Sequence, residues 1–404
     1  MDKLMKITNV RTMAMVGPDA HGIGGQGRDW HILLVRIDTD SGLYGLGEAA
    51  HFQNQTLGVR QLIMGKMKEY LIGKDPFTIR PFVTAMLYGG LPPHEPSQSA
   101  SATPFGPVVW AVSGVEMALC DLVGKALNTP VYNLLGGKYR DRLLVYLDRS
   151  SPADLNDLEA WRKLALDAQE QGFTDIKFDI DYAATDYPND PWNKSLTLPQ
   201  INKIVERLTA VRNAVGPDME ISIDGHMQYD VPSSIRLARA LAHLNLKWFE
   251  DPTPVTNPDA CVAIREKSPI PICLGETFVA EQFRLFIDRG ACDMIHPDIL
   301  FSGGLFETRK IADYADLNYL PMALHNNSCA LGVIACAHVA AASPNFIGLE
   351  YHWHNAPWIG QIADRGGLPL FEDGHIVLND EPGLGLTLNE SVCEKYLESG
   401  EQLF

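Results

Sequence analysis

From about Leu143 to Glu350 the chain keeps one rhythm, in which short apolar runs of strand character alternate with longer amphipathic runs of helical period. The strand runs are residues 143–147, 175–178, 220–223, 247–249, 272–275, 294–296, 320–323 and 347–349. Helical runs lie between them, among them 155–170, 198–215, 233–244, 281–288, 305–316 and 331–342. Parallel strands buried on both faces read as continuous apolar segments, and each needs a crossover that an amphipathic helix can supply. Eight such units at a spacing of roughly 25 residues fit right-handed βα turns closed into a TIM-type barrel. An open doubly wound sheet is the competing architecture, because strand number separates the two only softly.

In such a barrel the C-terminal strand ends converge on one mouth, where polar residues read as catalytic. Here those ends carry Lys177-Phe178-Asp179, Asp224-Gly225-His226, Glu250-Asp251-Pro252, Gly275-Glu276, His296-Pro297-Asp298, Leu324-His325 and Leu349-Glu350. Asp224, Glu250 and Glu276 end three consecutive strands, each 26 residues after the last. Carboxylates meeting at one point repel unless a cation sits between them, and hard oxygen donors without a thiol favour Mg²⁺ over zinc. A single acid there could equally cap the helix that follows its strand; three in register are harder to explain that way. His325 lies 27 residues beyond Asp298, one βα unit. A carboxylate so placed can accept from one imidazole nitrogen, fix the tautomer and raise the basicity of the other. Taken alone, His325 could also be a helix-capping or core-edge histidine. His226, two residues past Asp224, leans to the same face as a fourth metal ligand, a solvent-facing residue or a second acid/base. Lys177 is either a rim lysine or a cation serving the acids.

Ahead of the barrel, residues 6–15 and 30–38 read as strands of an antiparallel ribbon, and Asp40-Ser41-Gly42 turns into Leu43-Tyr44-Gly45-Leu46-Gly47-Glu48. Helical patterns follow around 55–71 and 108–127, separated by a stretch (89–101) dense in Gly, Pro and Ser that reads as a covering loop. Gly22-Ile23-Gly24-Gly25-Gln26-Gly27 matches the dinucleotide fingerprint in letters only, since a loop precedes it and a strand follows it. After Glu350 the period is lost; turns at Glu372-Asp373-Gly374 and Glu381-Pro382-Gly383 suggest that 366–388 packs back on the N-terminal domain. The expected division is 1–138, 139–358 and 359–404. Thirty-three basic against 50 acidic residues leave a net charge of −17, which repels phosphate backbones and anionic lipid. Neither nucleic acid nor a membrane is therefore an expected partner. The opening MDKLMKITNV has no apolar core of a signal peptide, and the apolar stretch 329–342, broken by His338, is too short to span a bilayer. Seven scattered cysteines without a C-x-x-C fit a reduced, cytoplasmic protein with mostly buried thiols.

With these residues in view the chain resembles the enolase superfamily, mandelate racemase subgroup, over nearly its whole length. The resemblance rests on residues 43–49, the helix Ser113-Gly114-Val115-Glu116-Met117-Ala118-Leu119-Cys120-Asp121, and residues 130–137. It continues through Asp224, Glu250-Asp251-Pro252, Gly275-Glu276, Pro297-Asp298 with Gly303-Gly304, His325 and Glu350. It implies an α+β capping domain, formed by the N-terminal region and the C-terminal tail, over a modified barrel. It also implies Mg²⁺ on Asp224, Glu250 and Glu276, and proton abstraction alpha to a carboxylate through an enediolate. Dimers or octamers are common in the superfamily, so a homo-oligomer is expected. Where many relatives carry Lys-x-Lys at the end of the second barrel strand, this chain has Lys177-Phe178-Asp179, so racemisation between a lysine and a histidine is put in doubt. Asp224-Gly225-His226 together with the Asp298–His325 pair is instead similar to D-galactonate dehydratase and related acid-sugar dehydratases.

That resemblance leads to a mechanism in which His325, oriented by Asp298, takes the C2 proton of an aldonate or aldarate. His226 then protonates the departing 3-hydroxyl, and Lys177 and Glu350 assist as a cationic contact and a hydrogen-bond partner. The product is a 2-keto-3-deoxy acid. Expected substrate contacts are Asp179, His21, Arg28, His51, Gln53 and Asn54, with His352 after the last strand; the H-x-H formed with His354 is a weak metal signal. An epimerase or lactone cycloisomerase on the same scaffold, and a non-catalytic acid-sugar-binding homologue, are the competing readings.

Overall fold

The computed structural model describes residues 5–19, 28–50, 56–89, 104–149, 151–181, 192–352 and 356–404. His21, His51, Gln53, Asn54 and His354, and most of the 89–101 stretch, lie outside the described residues, as does the side chain of Arg28.

Strand β1 (Ile7–Asp19) pairs antiparallel with β2 (Arg28–Thr39), and β2 pairs with β3 (Tyr44–Ala50). Both arms of the first hairpin outrun their expected ends. Gly17, Pro18 and Asp19 continue the ladder opposite Trp30, Asp29 and Arg28, so backbone pairing carries the ribbon through residues whose propensity reads as loop. A strand, not a helix, follows the Gly-x-Gly-x-x-Gly match. The sheet lies on the helix Pro107–Ala126, and glycine makes the contact possible. A Cβ on Gly45 would fall 1.9 Å from the Ala118 carbonyl oxygen, and one on Gly47 2.2 Å from that of Gly114. Among the described residues this is the one helix long and apolar enough to cross a membrane, but 83% of that span is buried inside the protein, as befits a core helix.

The apolar runs become β4 (Arg142–Asp148), β5 (Asp175–Asp179), β6 (Glu220–Asp224), β7 (Phe249–Glu250), β8 (Ile272–Leu274), β9 (Met294–Ile295), β10 (Met322–Leu324) and β11 (Phe346–Tyr351). They hydrogen-bond in that order, and β11 closes on β4 through Leu349–Val145 and Glu350–Tyr146. Closure removes both sheet edges and decides against the open doubly wound alternative. Tyr146, Trp248, Cys273, Met294 and Ala323 form a buried cluster drawn from five of the staves. Most crossover helices start on caps of their own: Asp157 for Leu158–Glu170, Thr197 for Leu198–Val215, Asp230 for Val231–Leu241 and Asn257 for Pro258–Arg265. The last of these is only eight residues long, about two turns, and such a short run shows little periodicity in sequence.

The return of the tail is split. After β12 (Ala363–Asp364), strand β13 (His375–Val377) adds antiparallel to the N-terminal end of β4, so this hairpin belongs to the barrel and not, as expected, to the N-terminal domain. Further on, β14 (Thr387–Leu388) pairs with β12. Contacts with the capping region include those of Gly383, whose carbonyl accepts from Val131, of Leu384, whose amide donates to Asp121, of Leu397, which bridges Met15, and of Glu398, which meets His31.

Every residue of the helix Ala330–Ala342 is buried, because capping-domain and tail segments cover the side that a barrel helix usually turns to water. His338 is satisfied there as a neutral ring: its Nδ1 accepts from the Tyr132 amide at 3.1 Å and its Nε2–H donates to the Leu384 carbonyl at 3.3 Å. Burial holds its pKa down at about 4, against an ordinary 6.5. Above pH 6.5 folded and unfolded rings are both neutral; as pH falls, the unfolded chain takes up a proton that the folded one refuses, and stability is lost. The loss should reach about 2 kcal/mol at pH 5. Urea unfolding at pH 7 and pH 5 should therefore show a smaller drop in His338→Gln by about that amount; equal drops in the two proteins would refute the assignment.

Candidate active site

The barrel register brings the polar strand ends level. Asp148 pairs with Lys177, Asp179 with Asp224, and Asp224 with Glu250 on neighbouring strands. Asp224, Glu250 and Glu276 each offer one carboxylate oxygen, all within 4.8 Å of one another. Burial, then the Glu250 charge, pushes the Asp224 pKa well above the usual carboxylate range. Such a cluster, with oxygen donors and no thiol, fits a hard divalent cation, which would favour the ionised form of Asp224.

Lys177 is buried at the centre of a second set of contacts. Its Nζ lies 3.1 Å from Asp224 Oδ2, 3.0 Å from Glu250 Oε1, 2.5 Å from Glu350 Oε1 and 3.3 Å from Asp148 Oδ2. Burial alone would favour the neutral amine, but Glu250, Glu350, Asp224 and Asp148 outweigh it and hold the ammonium's pKa well above its ordinary value. The ammonium thus offsets part of the charge on these four carboxylates. Glu250 is pinned further: Trp248 Nε1 donates to its Oε2 at 3.0 Å, and His296 Nδ1 lies 3.0 Å from its Oε1. His296 in turn meets the Tyr146 hydroxyl through Nε2 at 2.5 Å.

On the far side His325 Nδ1 and Asp298 Oδ2 are 2.6 Å apart, and the second Asp298 oxygen accepts from the Leu300 amide at 2.6 Å. That contact turns His325 Nε2 toward the carboxylates, 3.4 Å from Glu276 Oε2 and 3.8 Å from Glu350 Oε2. Burial opposes a charged ring, yet Glu350, Glu276 and the Asp298 hydrogen bond together lift its pKa to about 10.

His226 adopts a left-handed backbone (φ 42°), as does Met227 after it. Its ring lies 3.2 Å from Asp181 Oδ1 through Nδ1, and 3.6 Å from Asp224 Oδ2 and 4.0 Å from Asp179 Oδ1 through Nε2. It therefore faces the carboxylates while keeping a third of its side chain open. Asp179 is buried, and burial followed by the Asp148 charge pushes it up to about 7. His352 Nε2 is 3.2 Å from Glu350 Oε1 and 3.5 Å from Asp148 Oδ2.

Asp148 and Asp181 were not singled out by sequence reasoning. Asp148 ends its own apolar strand as the other acids do, so the same rule applied to the first stave finds it; Asp181 lies beyond its strand and carries no such signal. His296 stood among the strand-end residues without a role, because its contacts with Glu250 and Tyr146 run through the barrel interior.

Known proteins agree with this architecture. Residues 7–136 match the mandelate racemase/muconate lactonizing enzyme N-terminal domain, and residues 160–392 the enolase C-terminal domain-like family. The chain is 37% identical over 374 residues to a D-xylonate dehydratase of Haloferax volcanii, covering 92% of this chain and 87% of that protein. It is 30% identical over 422 residues to a D-galactonate dehydratase family member of Pantoea ananatis, covering 96% and 94%. A crystal structure of a mandelate racemase/muconate lactonizing enzyme-like protein from Rubrobacter xylanophilus superposes over 100% of both chains with a TM-score of 0.88 at 35% identity. Enzymes of this superfamily use a divalent metal. The chain is an enzyme of the enolase superfamily, mandelate racemase/muconate lactonizing branch, and its relatives place it among the hydro-lyases.

Proposed function

We propose that the enzyme dehydrates a sugar acid, an aldonate or aldarate, to a 2-keto-3-deoxy acid. The observation that carries the reading is the pair of imidazoles just past β6 and β10, four staves apart in a ring of eight, with the carboxylates at the ends of β6 and β7 and just past β8 between them. Asp224, Glu250 and Glu276 would hold Mg²⁺, whose charge when bound offsets the second negative charge that develops on the substrate carboxylate.

The chain's own groups do the rest. The uncompensated carboxylates keep the His325 ring protonated; once a cation held by Asp224, Glu250 and Glu276 offsets that charge, Nε2 is free to accept the C2 proton, since Nδ1 is committed to Asp298. The electron pair of the broken C2–H bond becomes the C2=C3 double bond as the C3–O bond breaks, and the oxygen leaves as water with a proton from His226. The enol then becomes the ketone, so the balance is loss of one water. Lys177 and Glu350 hold the floor of the site, and Asp179, where many relatives carry a lysine, supplies no ammonium. His352, Asp179, Arg28, His21, His51, Gln53 and Asn54 remain candidates for reading the hydroxyls. The Haloferax relative makes a five-carbon aldonate the first substrate to try.

Two imidazoles facing one another would also serve epimerisation at C2, and the products separate the readings. Aldonates and aldarates incubated with Mg²⁺ in D₂O should yield a 2-keto acid with a deuterated C3 methylene and no exchange into recovered substrate. An inverted C2 without keto acid would make the enzyme an epimerase. His325→Asn and His226→Asn should each lower kcat by at least about 10²-fold; near-normal turnover in either removes that residue from the mechanism. Lys177→Met leaves buried carboxylates without their ammonium, so unfolding free energy should fall by roughly 3–5 kcal/mol. Millimolar Mg²⁺ should return part of that loss in a denaturant titration; a variant as stable as the parent would show that the ammonium does not carry the cluster.

A further inference from the structure

The crossover helices of the barrel do not all begin alike. Those after β4, β5, β6 and β7 accept their first free amides on side chains one residue ahead of them, namely Asp157, Thr197, Asp230 and Asn257. The helix after β8, Ala280–Asp288, has its Gln282 side chain reaching back to the Val279 amide. The helices after β9 and β10 have no such device: Gly304 and Cys329 precede Leu305–Leu317 and Ala330–Ala342 without a side-chain cap. Their free amides are met instead from the other domain. Glu116, on the helix Pro107–Ala126, accepts from the Leu305 amide at 2.8 Å and the Phe306 amide at 3.0 Å. Glu48, on β3, accepts from the Cys329 amide at 3.0 Å, the Gly332 amide at 3.1 Å and the Cys329 thiol at 2.9 Å.

Both glutamates are fully buried, and the glycines beside them leave the room they occupy. A Cβ on Gly304 would lie 2.3 Å from Glu116 Oε2, and one on Gly332 2.8 Å from Glu48 Oε2. The two helices capped across the domain boundary are the ones that follow Asp298 and His325, which bridge one another just past β9 and β10. Gly304 lies six positions after Asp298, and Cys329 four positions after His325. Each of these segments is therefore held at one end by the barrel ladder and at the other by a capping-domain carboxylate.

We infer that Glu48 and Glu116 are positioning residues for the Asp298–His325 pair, fixing each member's loop to the capping domain so that the 2.6 Å contact between them is kept. This rests on the proposed role of His325 as base, but its test has an arm that does not. Glu48→Gln and Glu116→Gln keep the shape and one acceptor oxygen, so both variants can fold. Asp157→Ala, which removes a cap on a helix away from the pair, controls for the loss of a cap as such. By hydrogen exchange, Glu48→Gln should speed exchange in residues 325–333 and Glu116→Gln in 299–307, each leaving the other segment nearly unchanged. With substrate, each Gln variant should lose at least about tenfold in kcat with KM within about twofold, while Asp157→Ala lowers the melting temperature and leaves kcat alone. Unchanged exchange in both segments, or kcat losses no larger than in Asp157→Ala, would overturn the inference. If the parent enzyme makes no keto acid from any sugar acid, the proposed function falls and the exchange arm alone decides whether the carboxylates hold these loops.

Discussion

A buried ammonium among four carboxylates is the constraint around which the barrel mouth is organised. At about 3 Å an ion pair gains roughly 5 kcal/mol at an effective dielectric of 20, before the cost of desolvating both groups. Lys177 makes four such contacts, with Asp148, Asp224, Glu250 and Glu350. Those four acids come from β4, β6, β7 and β11, so the lysine draws together staves on both sides of its own strand. One positive charge cannot neutralise them all, and Glu276 and Asp251 add to the excess. A divalent ion held by Asp224, Glu250 and Glu276 would offset that surplus and present positive charge to the carboxylate of a substrate. The same arrangement that makes the core costly to bury makes the site attractive to a hard cation.

Much of this was legible in the sequence because barrel strands have a simple grammar. An apolar run buried on both faces is followed at its C-terminal end by the residue that meets the mouth, and residues 224, 250 and 276 could be picked out by counting. Closure of the sheet could not, since β7 and β9 are only two residues long and nothing local says that β11 will find β4. Strand ends beside Gly17 and Pro18 misled for a different reason: a ladder already formed extends through residues that would never start one. β13 is three residues with weak patterning, and its place beside β4 is decided by the empty edge at the N-terminal end of that strand.

Motif residues pose the opposite problem. Gly45, Gly47, Glu48, Gly114, Glu116 and Asp121 stand out in the sequence, yet none touches the carboxylate cluster. Their reason is mutual: the glycines let β3 lie against the backbone of Pro107–Ala126, and the acids then reach outward from that joint. Asp121 accepts from the Leu46 amide and, with its other oxygen, from the Leu384 amide of the tail. A fingerprint of this kind marks how two domains are fastened, and only indirectly what they catalyse.

In the proposed reaction, Asp179 is the strand-end residue that sets this chain apart from many relatives sharing the scaffold. A lysine there would place a proton acceptor on β5, beside the Lys177 ammonium. An aspartate at that position instead lies 4.0 Å from His226, whose ring also meets Asp181 and Asp224. On the proposed reading the proton-handling group on that side of the mouth would therefore move from β5 to the loop after β6, and from a flexible amine to a ring braced by carboxylates. A group set further out along the mouth is better placed to meet a hydroxyl one carbon beyond the reacting centre than the centre itself. In the proposed reaction that displacement, more than any change at His325, turns proton exchange at C2 into loss of water across C2 and C3.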